Sequence, residues 1–162
     1  MPRYPLAALF CALTFTGAAQ AAVLQESNIS TADAQRLVTA TVSACQAKGY
    51  NVSAAVVDRA GLLKAFARAD NAGPHTIESS RAKAFTAAST KVATLTMMEN
   101  AQKNPGASNL TDIPGFLLLG GGVPLKAGDS LIGAIGVAGA PGGHLDAQCA
   151  DEVLAANAAL FE

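Results

Sequence analysis

The chain of 162 residues has no tryptophan, and aromatic residues make up only 5% of it. A core built without large rings must close by contact between small residues, and alanine and glycine are prominent enough to supply them. Charge is scarce too: Asp, Glu, Lys and Arg are 14% of the residues and the formal net charge is −1. No basic run exists, which argues against nucleic acid as a partner. There are two histidines, His75 and His144, and three cysteines. None has metal-ligand spacing to another, and two histidines alone do not make a structural zinc site. The chain also lacks a Gly-x-Ser-x-Gly motif, a suggestive Cys-His spacing and an identifiable pair of catalytic carboxylates.

Long apolar runs are missing except at the start. Arg3 is followed by an apolar run from Leu6 to Ala18, too short to span a bilayer. Ala19-Gln20-Ala21 is a small-x-small cleavage site. Residues 1–21 therefore read as an export signal, with an uncleaved anchor as the alternative. Residues 22–162 suit one domain in the periplasm or outside the cell, with no membrane span left after cleavage. Cys11 leaves with the signal. Cys45 and Cys149 then face an oxidising compartment, where a disulfide between them is expected. Two buried free thiols are the alternative.

What the sequence does have is one glycine-rich stretch, Phe116 to His144, around which the rest is organised. It reads as strand, turn, strand, turn, strand, then a glycine-proline loop leading into a helix. Leu117 to Leu119 is a short apolar run ended by Gly120-Gly121-Gly122. Val123 to Lys126 is extended, since Pro124 fixes φ and biases its neighbour towards β. Ser130 to Ala138 is the strongest strand. Gly133 and Gly136 are poor strand residues unless another backbone or a ligand comes close. A nucleotide reading of these glycines fails. No Lys-Ser or Lys-Thr follows a phosphate loop, and the glycines lie within a strand rather than at a strand-to-helix turn.

The remaining elements follow in order. Ser30 caps a helix, with Asp33 in its first turn. Ala34, Leu37, Val38, Thr41, Val42 and Cys45 recur at helical spacing, and Gly49 ends it. Asn51–Val57 and Leu62–Ala69 form an antiparallel hairpin across Asp58-Arg59-Ala60-Gly61. Pro74 starts a second helix. Ile77, Ala84, Phe85 and Ala88 mark its apolar side, with Arg81 projecting there; Ser79, Lys83 and Thr86 mark the other. A further helix runs from about Lys91 to Gln102 with Val92, Leu95 and Met98 or Glu99 inward. Asn104-Pro105-Gly106 stops it, and Asp146 to Leu160 is the closing helix. Strands and helices do not alternate as in a parallel fold. The pattern suits an α/β (α+β) domain, with an antiparallel sheet of about five strands and helices on both faces.

Several blocks resemble the GlcG-like family, which includes exported HbpS-type haem-binding and haem-degrading proteins. They are Val56-Val57-Asp58-Arg59-Ala60-Gly61-Leu62-Leu63, Arg68-Ala69-Asp70-Asn71-Ala72, Lys83-Ala84-Phe85-Thr86-Ala87-Ala88, Gly120-Gly121-Gly122-Val123-Pro124-Leu125 and Ile132-Gly133-Ala134-Ile135-Gly136-Val137. The resemblance covers nearly all of the mature chain, in order. It implies a profilin-like three-layer α/β/α fold and homo-oligomers, often octamers built from dimers. It implies function more loosely: members bind haem, or accompany glycolate and diol utilisation.

With haem as the expected cofactor, His75 is the first candidate iron ligand and His144 the second. Each also reads as an ordinary exposed histidine at a loop-to-helix junction. Lys83 reads either as a cation for a propionate or small carboxylate, or as a solvated surface lysine. Arg81 reads either as a carboxylate clamp or as the partner of Glu78. Asp58 reads chiefly as a turn residue. Three functions remain open: a haem-binding protein that promotes haem breakdown or handles iron, an enzyme or binder for a small hydroxy- or keto-acid, and a structural oligomer without a small ligand.

Overall fold

A computed structural model of the protein describes residues 23–161, so the expected export signal lies outside the described residues. Helix α1 spans Thr31–Ala47. The Ser30 hydroxyl accepts a hydrogen bond from the Asp33 amide at 3.1 Å and closes the first turn. Its buried positions are Ala34, Leu37, Val38, Thr41, Val42 and Cys45, the set that helical periodicity predicts. Strands β1, Ser53–Asp58, and β2, Leu63–Arg68, form the hairpin. Asp58 Oδ1 accepts from the Ala60 and Leu62 amides, each at 2.9 Å, so this carboxylate makes the turn.

Helix α2 covers His75–Thr90 and α3 covers Thr94–Lys103. A 3-10 segment, Pro105–Asp112, follows. Strands β3, Gly122–Ala127, and β4, Ser130–Ala138, lead to helix α4, Gly143–Ala156. The strands form one antiparallel sheet in the order β2-β1-β4-β3. Helices α1 and α4 cover one face over Leu37, Val42, Val56, Ile135 and Val137. Helix α2 covers the other over Val57 and Ala134. The three-layer α/β/α expectation holds.

The sheet has four strands rather than about five. Leu117 to Leu119 is not a strand, because helix side chains take the backbone bonds that a neighbouring strand would take. The Leu117 amide donates to the Thr86 hydroxyl at 2.9 Å. The Thr94 hydroxyl donates to the Leu119 carbonyl at 2.6 Å and accepts from the Gly122 amide at 2.8 Å.

The buried side of α2 is only partly the expected one: Ala84 and Ala88 face the core as expected, while Phe85 is half-buried. Thr76, Ser80, Lys83, Ala84, Thr86 and Ala87 face inward, while Ile77 is 40% exposed and Arg81 lies outside. The sheet surface here is alanine and glycine, with room only for small side chains. A Cβ at Gly136 would overlap the Ser80 carbonyl oxygen and lie 2.6 Å from the Ala84 amide. Thr86 meets its own hydrogen-bonding need within the helix, donating to the Ala82 carbonyl at 2.8 Å. A hydroxyl satisfied this way can be buried at little cost. Lys91, at φ 61°, then breaks the helix and resets its phase. As a result α3 buries Thr94 and Met97 instead of Val92 and Leu95.

Cys45 and Cys149 are joined in a disulfide that links α1 to α4 across 104 residues, with their Cα atoms 5.7 Å apart. None of the helices in the described region is long and apolar enough to cross a membrane.

Candidate functional site

A cleft of about 230 Å³ opens at one end of the sheet, where three segments meet. The start of α2 contributes His75, Ser79 and Lys83. The stretch before β3 contributes Leu117 and Leu119. The loop between β4 and α4, with Asp146 behind it, closes the third side. A second hollow of about 260 Å³, between Ser27–Ser30 and Phe161, has Asp33 as its one acidic side chain. That carboxylate is paired with Arg36 at 2.9 Å.

His75 is the first residue of α2 and is exposed at the cleft. Its ring folds back over Gly73, where a Cβ would come within 2.7 Å of Cε1. Pro74 sets the backbone just before it. Lys83, two turns on, is buried rather than solvated: its Nζ donates to Asp146 Oδ2 at 2.8 Å and to the Val137 carbonyl at 2.9 Å. Asp146 Oδ1 accepts from the Ala140 amide at 2.9 Å. Burial pushes the Asp146 carboxyl above its ordinary value, against the pull of the Lys83 charge and of hydrogen bonds from Lys83, Ala140 and Gly139.

The other two sequence candidates stay outside the cleft. Arg81 is exposed and donates through Nε and Nη2 to Glu78 Oε2 at 3.0 and 2.8 Å. The ion-pair reading of Arg81 therefore describes this side chain. His144 stands exposed on the first turn of α4 with its ring over Gly142, and it is not part of the cleft wall. Among the described residues no group of three or more His, Cys, Asp or Glu side chains comes together.

Sequence reasoning missed Asp146 and the leucine wall. An acidic residue in a helix's first turn looks like a partner for the helix dipole, and nothing local ties Asp146 to Lys83. Leu117 and Leu119 were hidden by being read as a strand.

Comparison with known proteins bears on this site. Residues 29–155 match the model of the family described as haem degrading protein HbpS-like. A crystal structure of a double mutant of HbpS from Streptomyces reticuli is 37% identical, with a TM-score of 0.78, covering 94% of this chain and 98% of that one. The Klebsiella pneumoniae protein ORFY is 28% identical, with a TM-score of 0.74, covering 86% of this chain and 99% of that one. A PduOC:haem complex is 27% identical, with a TM-score of 0.71, covering 80% of this chain and 94% of that one. No curated protein matches the chain. With a family match spanning the whole sheet, all four α-helices but one residue of the last, and every wall of the cleft, the chain belongs to the HbpS-like family of haem-degrading proteins.

Proposed function

We propose that the mature chain is an exported haem-binding protein, with His75 as iron ligand and Lys83 directed to the propionates. One observation carries this reading. Helix α2 brings an accessible imidazole and a buried cation to a single cleft whose facing wall is Leu117 and Leu119. The set fits the group. Neutral imidazole is a common haem iron ligand, the leucines suit an apolar macrocycle, and a cation suits a carboxylate. Bound haem would supply the redox chemistry, while the protein holds and orients it. The relative solved as a haem complex and the haem-degrading description of the family support the same reading. Haem breakdown is the finer proposal, checked by loss of the Soret band with release of iron. The disulfide supports export, since such bonds persist in oxidising compartments.

Titration of the mature protein with haemin tests the reading. His75→Ala is expected to shift the Soret maximum and weaken binding at least tenfold, about 1.4 kcal/mol. His144→Ala, the second choice, does less. Binding unchanged in both variants would remove both histidines as ligands.

The size of the cleft favours a second reading. At about 230 Å³ it is smaller than most cofactor sites, which run from about 300 to 1,000 Å³. A small hydroxy- or keto-acid would fit inside it, with its carboxylate towards Lys83. A thermal shift with glycolate and no Soret band with haemin would select that reading.

A further inference from the structure

The Lys83–Asp146 ion pair lies beneath the cleft. Both side chains are 4% exposed. Lys83 comes from α2 and reaches the end of β4 through the Val137 carbonyl. Asp146 comes from α4, takes Lys83 with one oxygen, and takes the Ala140 amide of the loop with the other. One carboxylate thus ties α2 and the loop after β4, two of the cleft's three walls, to the start of α4.

The glycine block is shaped to this pair. A Cβ at Gly121 would lie 2.8 Å from Asp146 Cβ and 3.2 Å from Lys83 Nζ. A Cβ at Gly120 would lie 2.7 Å from the Gly143 carbonyl oxygen. Such close enclosure excludes water, and taking two charges out of water offsets most of their attraction. Replacing both partners of a buried pair by apolar residues is often neutral or stabilising, so stability alone does not explain the pair. Geometry does. Two of the three donors of the Lys83 ammonium are held by Asp146 and the Val137 carbonyl, which fixes this cation where it lines the cleft.

We infer that Asp146 is the positioning residue of the cleft, holding the Lys83 ammonium at its floor and the 138–142 loop against α4 in the arrangement a ligand meets. The ligand is that of the haem reading above, on which this inference rests. Three variants of the mature, disulfide-bonded protein test it: Asp146→Asn, Lys83→Met, and the double Lys83→Met/Asp146→Leu. Each is unfolded thermally and titrated with haemin by absorbance. The single variants are expected to lose both Tm and haemin affinity. The double variant is expected to recover the wild-type Tm while binding haemin at least tenfold more weakly, its Soret maximum unchanged because His75 is intact. Affinity that tracks Tm across all three variants would overturn the inference. Amide hydrogen exchange without haemin gives an independent reading. In Asp146→Asn the amides of residues 138–143 are expected to exchange at least tenfold faster while those of β1 keep their rates. Unchanged or uniformly raised exchange would overturn the inference. If the wild-type protein takes up no haemin, the haem reading fails and the exchange result alone decides the role of Asp146.

Discussion

Asp146 takes up a proton more readily in the folded protein than in the unfolded chain, because burial penalises its charge more than its partners favour it. The sign of the pH dependence follows. Its contribution to stability is fully present below the ordinary carboxyl value of 3.8 and is lost as pH rises through the raised folded value. Tm measured against pH for wild type and Asp146→Asn is expected to show this as a difference that moves against the wild type with rising pH. A difference independent of pH would mean that the folded carboxyl is not shifted. At the same scale, Lys83 shows how little a residue type says about its surroundings. The motif Lys83-Ala84-Phe85-Thr86 is visible in the sequence. That the lysine is buried depends on a carboxylate 63 positions away.

At the scale of elements, the position of α2 on the sheet depends on glycines. Gly136 pairs with Ala55 on one side and Gly122 on the other, directly beneath the Ser80–Ala84 turn. Gly136→Ala is expected to push α2 off the sheet and destabilise the protein by about 1–3 kcal/mol, the usual range for overpacking. Gly128→Ala is the control. It has nothing within 4 Å, so its left-handed φ of 54° is the only strain, about 1 kcal/mol. Urea denaturation of the two variants compares them, and equal losses would show that the α2 contact is not tight. The interior glycines of the longest strand could be read from sequence as sites of close approach. Which backbone approaches them could not, since that depends on how α2 crosses the sheet. The inward side of α2 is only half legible for a related reason: Ala84 and Ala88 face the core as their spacing predicts, but Thr76, Ser80, Lys83 and Thr86 join them in place of Ile77 and Arg81. Hydrophobicity marks an apolar face, but a small-residue sheet accepts Ser, Thr and Ala more readily than Ile or Phe.

At the scale of the whole molecule, the disulfide closes a loop that takes in most of the described residues. For a separation of 104 residues the chain-entropy account gives close to 5 kcal/mol, an upper figure for the loss on reduction. Reducing the mature protein, or replacing Cys45 and Cys149 with Ala, is expected to lower the denaturation midpoint. An unchanged midpoint would make the bond thermodynamically idle. The resemblance implies a homo-oligomer, octamers built from dimers, and we propose one here on the apolar surface at the β2 edge: Leu62, just before the strand, and Leu63 and Phe66 on it are 66%, 51% and 38% exposed. Light scattering at micromolar concentration is expected to report an assembly larger than the monomer. A monomer would count against the proposal.

The sequence by itself determined the elements whose signals are local. The Ser30 cap and its period of apolar residues, the Asp58 turn, the Pro74 helix start and the Ser130–Ala138 strand all depend on side chains acting on their own backbone. It also held the resemblance that places the chain among haem proteins. Tertiary structure alone decided the rest. Thr86 and Thr94 turned Leu117–Leu119 from a strand into a cleft wall by taking its backbone bonds. The sheet's small residues selected the polar side of α2. Folding brought Lys83 to Asp146 and kept His144 off the cleft wall. Those outcomes depend on contacts between residues far apart in the chain, which no local pattern encodes.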